Sequence, residues 1–328
     1  MGFGDVLKNA QEAGMLNTLN FSSDLSLENG FWVALLGGAA MWLQYFGADQ
    51  TQLQRMLSAK SVRSAKTSIM SGGIIMNVMY FLFMIIGLIM FSFYRGQEFT
   101  SSNDVMITFI LTKLPAGLLG LMIAAVFAAA MSSIDSVLNS MTTVFVKDIY
   151  EKYIRKEQGE TPLRVNIIFT GVFGVVVVIF VLMGFSGTTA SVLSTVGAYV
   201  GYIAGSLLAI FLLGMFTEKA NDTGTAIGFV AGLAATWACS FTGLNWLWYY
   251  LVGAVAGYVV GYAASCVCGG SKADVAAMTI RGQRKMLIQN GTTEKDGTSI
   301  LPGKMDKYGW ILLAFFAAQF VVLIFFTK

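Results

Sequence analysis

Between Leu114 and Val146 the chain reads LPAGLLGLMIAAVFAAAMSSIDSVLNSMTTVFV. The stretch is apolar and long enough to cross a bilayer, which takes about 20 helical residues. Its second half nevertheless carries Ser132, Ser133, Asp135, Ser136, Asn139, Ser140, Thr142 and Thr143. With about 100° between successive helical residues, Ala129, Ser132, Ser133, Ser136 and Ser140 share one arc, and Asp135 and Asn139 extend it along one edge. Hydroxyl and carbonyl oxygens are ligands for hard cations, and a carboxylate at membrane depth is too costly to be left facing lipid. The arc is therefore a candidate cation site. The alternative for Asp135 is purely structural, a hydrogen bond to Asn139 or to a neighbouring span.

Little else in the composition offers chemistry. Histidine is absent, which removes imidazole metal ligands and Ser-His or Cys-His nucleophiles. Cys239, Cys266 and Cys268 lie in or at the ends of apolar runs, at spacings that suit neither a disulfide framework nor a thiolate metal site. Asp135 is alone at depth, so a paired-carboxylate mechanism lacks its second acid. The chain reads as a non-enzyme, and nothing in it points to a nucleic-acid partner.

The elements that position the arc belong to a membrane protein. Of 328 residues, 56% are hydrophobic and only 12% charged, against roughly 25% charged in soluble domains. Residues 1–30 are polar and read as an extracytoplasmic loop with one short amphipathic helix. Eight apolar segments follow, near 31–48, 68–93, 115–146, 164–184, 190–216, 223–243, 245–268 and 308–326. Basic residues alternate between the connecting loops. Four follow the first segment, five the third, one the fifth, and seven lie between 272 and 307, so 17 of the 21 Lys and Arg fall in alternate loops. By the positive-inside rule this predicts eight spans with both termini outside and a cytoplasmic loop near 269–307. Such a topology leads us to expect an N-terminal portion with an odd number of spans beyond this sequence.

Within the spans, Gly197, Gly201 and Gly205 form a strip at spacing four. Such strips let helices approach closely; they also mark broken helices that gate a pathway, in which case Tyr199 and Tyr202 would face a substrate. Asn77 is an amide among apolar neighbours, either interhelical glue or a substrate contact. The first segment ends in Gln44-Tyr45-Phe46-Gly47-Ala48-Asp49-Gln50, polar groups that suit interfacial solvation or an inner gate.

Three runs carry a family resemblance: ADQTQLQRMLSAKS after Gln44-Tyr45-Phe46, then GLMIAAVFAAAMSSIDSVLNSMTTVFVKDIY, then LLGMFTEKANDTGTAIGFVAG. In this order they resemble the sodium:solute symporter family, which carries sugars, sialic acids, monocarboxylates and vitamins. The resemblance implies an all-α leucine-transporter-type core of two inverted five-helix repeats. Residues 31–216 resemble the second repeat and 217–328 three peripheral transmembrane helices, with no counterpart to the first repeat. It also implies sodium ligation by the Ala129 carbonyl and the Ser132 and Ser133 hydroxyls. A second sodium site, found in sialic acid members, resembles positions Asp135 and Ser136, with a carboxylate replacing a hydroxyl. Tyr45 and Phe46 resemble the aromatic pair that lies against the substrate. Sugar-carrying members have a glutamine near Gly197 and a lysine near Met76, and this sequence has neither.

The expected function is sodium-coupled symport of a small polar organic solute across a cell (inner) membrane, by a chain truncated relative to the family and inactive by itself. The partners are the solute, sodium, the lipid bilayer and a missing N-terminal repeat. A transporter-like sensor or scaffold without flux is the alternative, with 269–307 as its partner-binding segment.

Overall fold

The computed structural model describes residues 2–28, 30–155, 161–184, 191–269, 276–295 and 297–326. Among these the regular structure is nearly all helical. Helix α1 (Phe3–Glu12) precedes a π-helical turn (Val33–Gly37) that runs into α2 (Gly38–Gly47). Then come α3 (Gln50–Leu57), α4 (Val62–Phe93), α5 (Asp104–Lys113) and α6 (Ala116–Val144), the last prolonged by a π-helical tail, Phe145–Arg155. Helices α7 (Leu163–Gly184), α8 (Val192–Phe216), α9 (Asp222–Ser240), α10 (Leu247–Val267), α11 (Ile280–Gln289) and α12 (Lys307–Phe326) complete the set.

Seven of these, α4, α6 with its tail, α7, α8, α9, α10 and α12, are long and apolar enough to cross a membrane. The segment expected near 31–48 is helical over residues 31–47, and its named apolar helix, Val33–Gly47, is shorter than the seven. The Gly37-Gly38 pair interrupts its α-geometry at one end. At the other, Gly47 ends α2, and Asp49 caps the next helix by accepting a hydrogen bond from the Gln52 amide at 3.1 Å. The all-α expectation holds for the architecture, and the strands among the described residues are confined to one loop. The loop near 269–307 carries α11 and a minimal antiparallel hairpin, β1 (Glu294–Lys295) with β2 (Thr298–Ser299). The amphipathic helix expected within 1–30 is α1, which buries Val6 and Ala10. Along α4, α6 and α7, large apolar side chains such as Phe83, Met84, Leu121, Phe127, Val175 and Leu182 stand exposed. Apolar faces of this extent need acyl chains or another apolar surface to cover them. The protein is an integral, multi-pass membrane protein.

The chain divides into two compact units, residues 1–97 with 193–328, and residues 98–192. In the first, α8, α9 and α10 pack through small residues. A Cβ at Gly205 of α8 would lie 2.5 Å from the Tyr250 carbonyl oxygen. One at Gly228 of α9 would lie 2.6 Å from the Gly257 carbonyl oxygen and 2.7 Å from the Gly261 Cα. At Gly197 the would-be methyl falls on the Trp246 ring, and at Gly201 on Tyr249 and Tyr250. The α8 glycine strip is thus a packing surface. It has two companions, Gly224-Gly228-Gly232 on α9 and Gly253-Gly257-Gly261 on α10, closed against backbone or small side chains except at Gly261, where the Leu213 side chain lies nearest. Lipid gives apolar helices no reason to prefer each other, so close van der Waals approach of this kind is what holds such a trio together. Ser206, Thr236 and Ser265 are fully buried in it; Thr236 and Ser265 turn their hydroxyls to the Gly232 and Gly261 carbonyls at 2.9 and 2.8 Å.

Helices α4 and α12 are joined at both ends. At the start of each, the Lys66 ammonium donates to Asp306 and, at 2.7 Å, to the Ser299 carbonyl, while the Asp306 carboxylate also accepts from the Tyr308 and Gly309 amides. At the other end, Arg95 just past α4 holds Asn9 and Glu12 of α1, and the segment after α1 reaches α12 through Thr18, whose hydroxyl donates to the Leu323 carbonyl at 3.0 Å. The Lys66 ammonium holds the Asp306 carboxyl below its usual 3.8. A carboxylate depressed in the folded state contributes stability that is present above the unfolded value and fades as pH falls through the folded one. Asp306→Asn is therefore expected to lower the melting temperature at neutral pH. The gap to the parent should stay constant down to about pH 4 and close below it, which thermal unfolding across pH will read.

In the second unit α6 packs on α7 through its C-terminal part. The Thr142 and Thr170 hydroxyls lie 3.0 Å apart, and the Phe145 ring meets Phe169 and Phe173 at centroid distances of 4.6 and 5.6 Å.

Candidate functional site

Two separate features carry polar chemistry at membrane depth. The first is the arc on α6, in the second unit. Residues 129–136 lie in regular α-helix; the departure from α-geometry comes later, in the tail from Phe145. The Ser133 hydroxyl donates to the Ala129 carbonyl at 3.1 Å, Ser136 to Ser132 at 3.1 Å, and Ser140 to Ser136 at 2.9 Å. The protons of these three hydroxyls are thus spent along the helix, and a hydroxyl oxygen that donates can still accept. A cation needs that accepting capacity. A cation that takes both the Ala129 and the Ser133 oxygen would displace the hydroxyl proton that lies between them, 3.1 Å apart.

The arc is graded. Ala129, Ser132, Ser133, Asp135 and Asn139 are exposed, Ser136 is half-buried and Ser140 is buried. The Asp135–Asn139 hydrogen bond that the sequence allowed does not form: among the described residues the Asp135 carboxylate has no partner, and Asn139 enters only through its carbonyl, which accepts from Thr143. Among the described residues, the oxygens from Ala129 to Asp135 line one exposed side of a spanning helix.

The second feature is a cavity of about 650 Å³ in the first unit, built where α2 turns into α3 beside α4. Trp42, Tyr45, Tyr80, Phe83 and Tyr250 give it aromatic walls, Met41, Met76 and Met79 fill between them, and Gln44 and Asp49 supply polar groups. Trp42 stands edge-on to Tyr45 at 5.6 Å and to Tyr80 at 6.5 Å. The volume suits a small organic molecule, and flat aromatic faces with a few polar groups suit a solute with an apolar face and hydroxyls at its rim.

Of the four residues named from sequence as substrate contacts, only Tyr45 lines this cavity. Phe46 lines a smaller one of about 260 Å³ below it. Asn77 turns back to the Gly73 carbonyl of its own helix at 3.0 Å, and Tyr202 lies against the Tyr249 ring at 5.2 Å, so neither reaches the chamber. Trp42, Tyr80 and Gln44 escaped the sequence reading. Trp42 sits three residues before Tyr45, one helical turn away, and that spacing was the available signal.

Residues 6–232 match the profile of the sodium:solute symporter family. The chain belongs to that family. Its relatives include the sodium/sialic acid symporter NanT of Aliivibrio fischeri, 29% identical over 239 residues, which are 70% of this chain and 47% of the relative. The sodium/glucose cotransporter of Vibrio parahaemolyticus is 30% identical over 229 residues, 66% of this chain and 41% of the relative. Human sodium-coupled monocarboxylate transporter 1 is 25% identical over 241 residues, 71% and 39% respectively. The fold resembles a solved Na+-coupled sialic acid symporter in a substrate-bound outward-open state, with a TM-score of 0.66 at 24% identity, over 83% of this chain and 57% of that one. This member of the family spans about half the length of the curated relatives it matches.

Proposed function

We propose that the chain forms part of a sodium-coupled secondary active symporter for a small polar organic solute of the sugar, sialic acid or monocarboxylate class. The observation that supports the reading is the α6 arc, an exposed row of oxygens from Ala129 to Asp135 on a spanning helix, with the Ser133 and Ser136 hydroxyls back-bonded to the Ala129 and Ser132 carbonyls. Family membership adds sodium as the ion, since the relatives named above are sodium-coupled.

In this reading the Ala129 carbonyl and the Ser132 and Ser133 hydroxyls hold one sodium ion. Asp135 and Ser136, one turn on, hold a second cation or tune the first. Residues 31–216 act as the second repeat of the core and 217–328 as peripheral helices. The facing oxygens belong to the length of the relatives that lies outside the match. Sodium bridging the two repeats favours the solute-competent state, and its release on the other side of the membrane unlocks it. Each sodium ion moving down a 100 mV potential supplies about 2.3 kcal/mol, enough to move a neutral solute uphill. The cavity beside Trp42 and Tyr45 takes the solute.

The test is solute uptake into proteoliposomes that hold this chain together with the facing repeat that the reading requires, sodium against potassium outside. Uptake of one of the three solute classes that requires sodium supports the reading; solute binding with no sodium dependence and no flux overturns it in favour of a sensor or scaffold. Trp42→Ala is expected to raise the solute concentration for half-maximal uptake roughly tenfold, because it removes one aromatic wall, while the sodium dependence stays unchanged.

A further inference from the structure

The two cavities of the first unit share two residues, Tyr45 and Met76. The upper, of about 650 Å³, is the aromatic chamber. The lower, of about 260 Å³, is lined by Gln52, Arg55, Met56, Ser68 and others, and lies between the α2–α3 corner and the part of α4 nearest its basic N-terminal end. Tyr45 and Met76 are therefore the wall between them.

One contact fixes that wall. The Gln52 amide nitrogen donates to the Tyr45 hydroxyl at 2.5 Å, across seven residues of sequence. Two residues on a continuous helix seven apart lie about two turns along it, too far for so short a bond. The bond exists because α2 ends at Gly47 and the chain turns at Ala48-Asp49 before α3 begins. Asp49 makes that turn: it caps α3 by accepting from the Gln52 backbone amide at 3.1 Å, and so sets the place from which the Gln52 side chain reaches back. Asp49 itself lines the upper chamber.

We infer that Gln52 is a positioning residue that holds the Tyr45 ring as the partition between the two chambers, and that Asp49, which faces the upper chamber, sets Gln52. Met76 is an unbranched side chain that can move aside; the tyrosine, tethered at its hydroxyl, is the part of the wall that must be released. A solute group that engages the Asp49 carboxylate competes with the cap of α3 and loosens the anchor of Gln52. Occupancy of the upper chamber and the freedom of Tyr45 are then linked through three residues of one corner. The inference rests on the symport reading for its purpose, but not for its geometry.

The test is thiol labelling, which needs neither sodium nor solute. In a background with Cys239→Ala, Cys266→Ser and Cys268→Ser, the substitution Gln44→Cys places a thiol at a buried position that lines the upper chamber and not the lower one. A membrane-impermeant reagent is added to membrane vesicles on the side that bears Lys60 and Arg63. Gln52→Leu is expected to raise the labelling rate about tenfold, the equivalent of one lost hydrogen bond of about 1.4 kcal/mol. Gln52→Glu, which keeps the reach and accepts from the tyrosine hydroxyl, should restore the parent rate. In a Tyr45→Ala background the rate should already be high, with Gln52→Leu adding nothing. An unchanged rate in Gln52→Leu overturns the inference, as does an equal increase with Tyr45 absent, or a failure of Gln52→Glu to restore the rate in protein that elutes as the parent does on size exclusion. Loss of sodium-dependent uptake with these labelling results intact would sink the symport reading and leave the lock standing.

Discussion

Gly228→Ala is expected to be among the most destabilising single-methyl additions in the protein. The new carbon would sit 2.6 Å from the Gly257 carbonyl oxygen and 2.7 Å from the Gly261 Cα, and backbone cannot swing away as a side chain can. Helices α9 and α10 would have to separate along their contact, with a loss of about 1–3 kcal/mol for one methyl, and Gly228→Leu should prevent the pair from closing at all. Thermal unfolding of the purified protein measures this. Gly214 on α8 is the control: nothing lies within 4 Å of its would-be methyl, so Gly214→Ala should be neutral or gain up to about 1 kcal/mol from the lost backbone freedom of glycine. Equal melting temperatures for the Gly228 and Gly214 variants would mean that α9 and α10 do not meet as described.

Ser132→Ala with Ser133→Ala is expected to abolish sodium coupling within the physiological sodium range. Each hydroxyl lost from a cation's shell removes a charge–dipole contact of about 1.5–3 kcal/mol, which corresponds to a rise in the sodium half-saturation of roughly ten- to a hundredfold per residue. The single variants should show the smaller shift. Ser140→Ala separates ligation from helix stability: its hydroxyl is buried and back-bonded to Ser136, so its removal should lower stability and leave sodium affinity near the parent value. Sodium dependence of uptake, and sodium-induced thermal stabilisation compared with potassium, read both. An unaltered half-saturation in the double variant would remove this arc from the ion's path.

Hydropathy and period marked the spans well because bilayer thickness leaves a helix few lengths to choose from. Segments near 68–93, 164–184 and 308–326 return as α4, α7 and α12 with ends shifted by a few residues. The first segment returns as helix over residues 31–47, but it is π-helical up to Gly37, a change of geometry that hydropathy does not register. The oxygen arc was legible since it depends only on the angle between successive residues of one helix. The aromatic chamber was not, because Trp42, Tyr80 and Tyr250 come from α2, α4 and α10, and no periodicity within one element shows which side chains meet across three. The glycine strip on α8 was visible, and the same spacing of four was present on α9 and α10. Its role as a packing surface became clear only from the carbonyls and rings that each glycine faces.

The double fastening of α4 to α12 has a mechanical consequence. With Lys66 anchored to Asp306 and Ser299 at one end, and the α1 segment bridging Arg95 to Leu323 at the other, the two helices form a closed frame rather than two independent rods. Any tilt of α4 drags α12 with it, so the surrounding acyl chains must make way for a two-helix footprint. The work done against the lipid then depends on bilayer thickness and stiffness, and under the symport proposal the speed of transport should vary with the membrane that holds the protein.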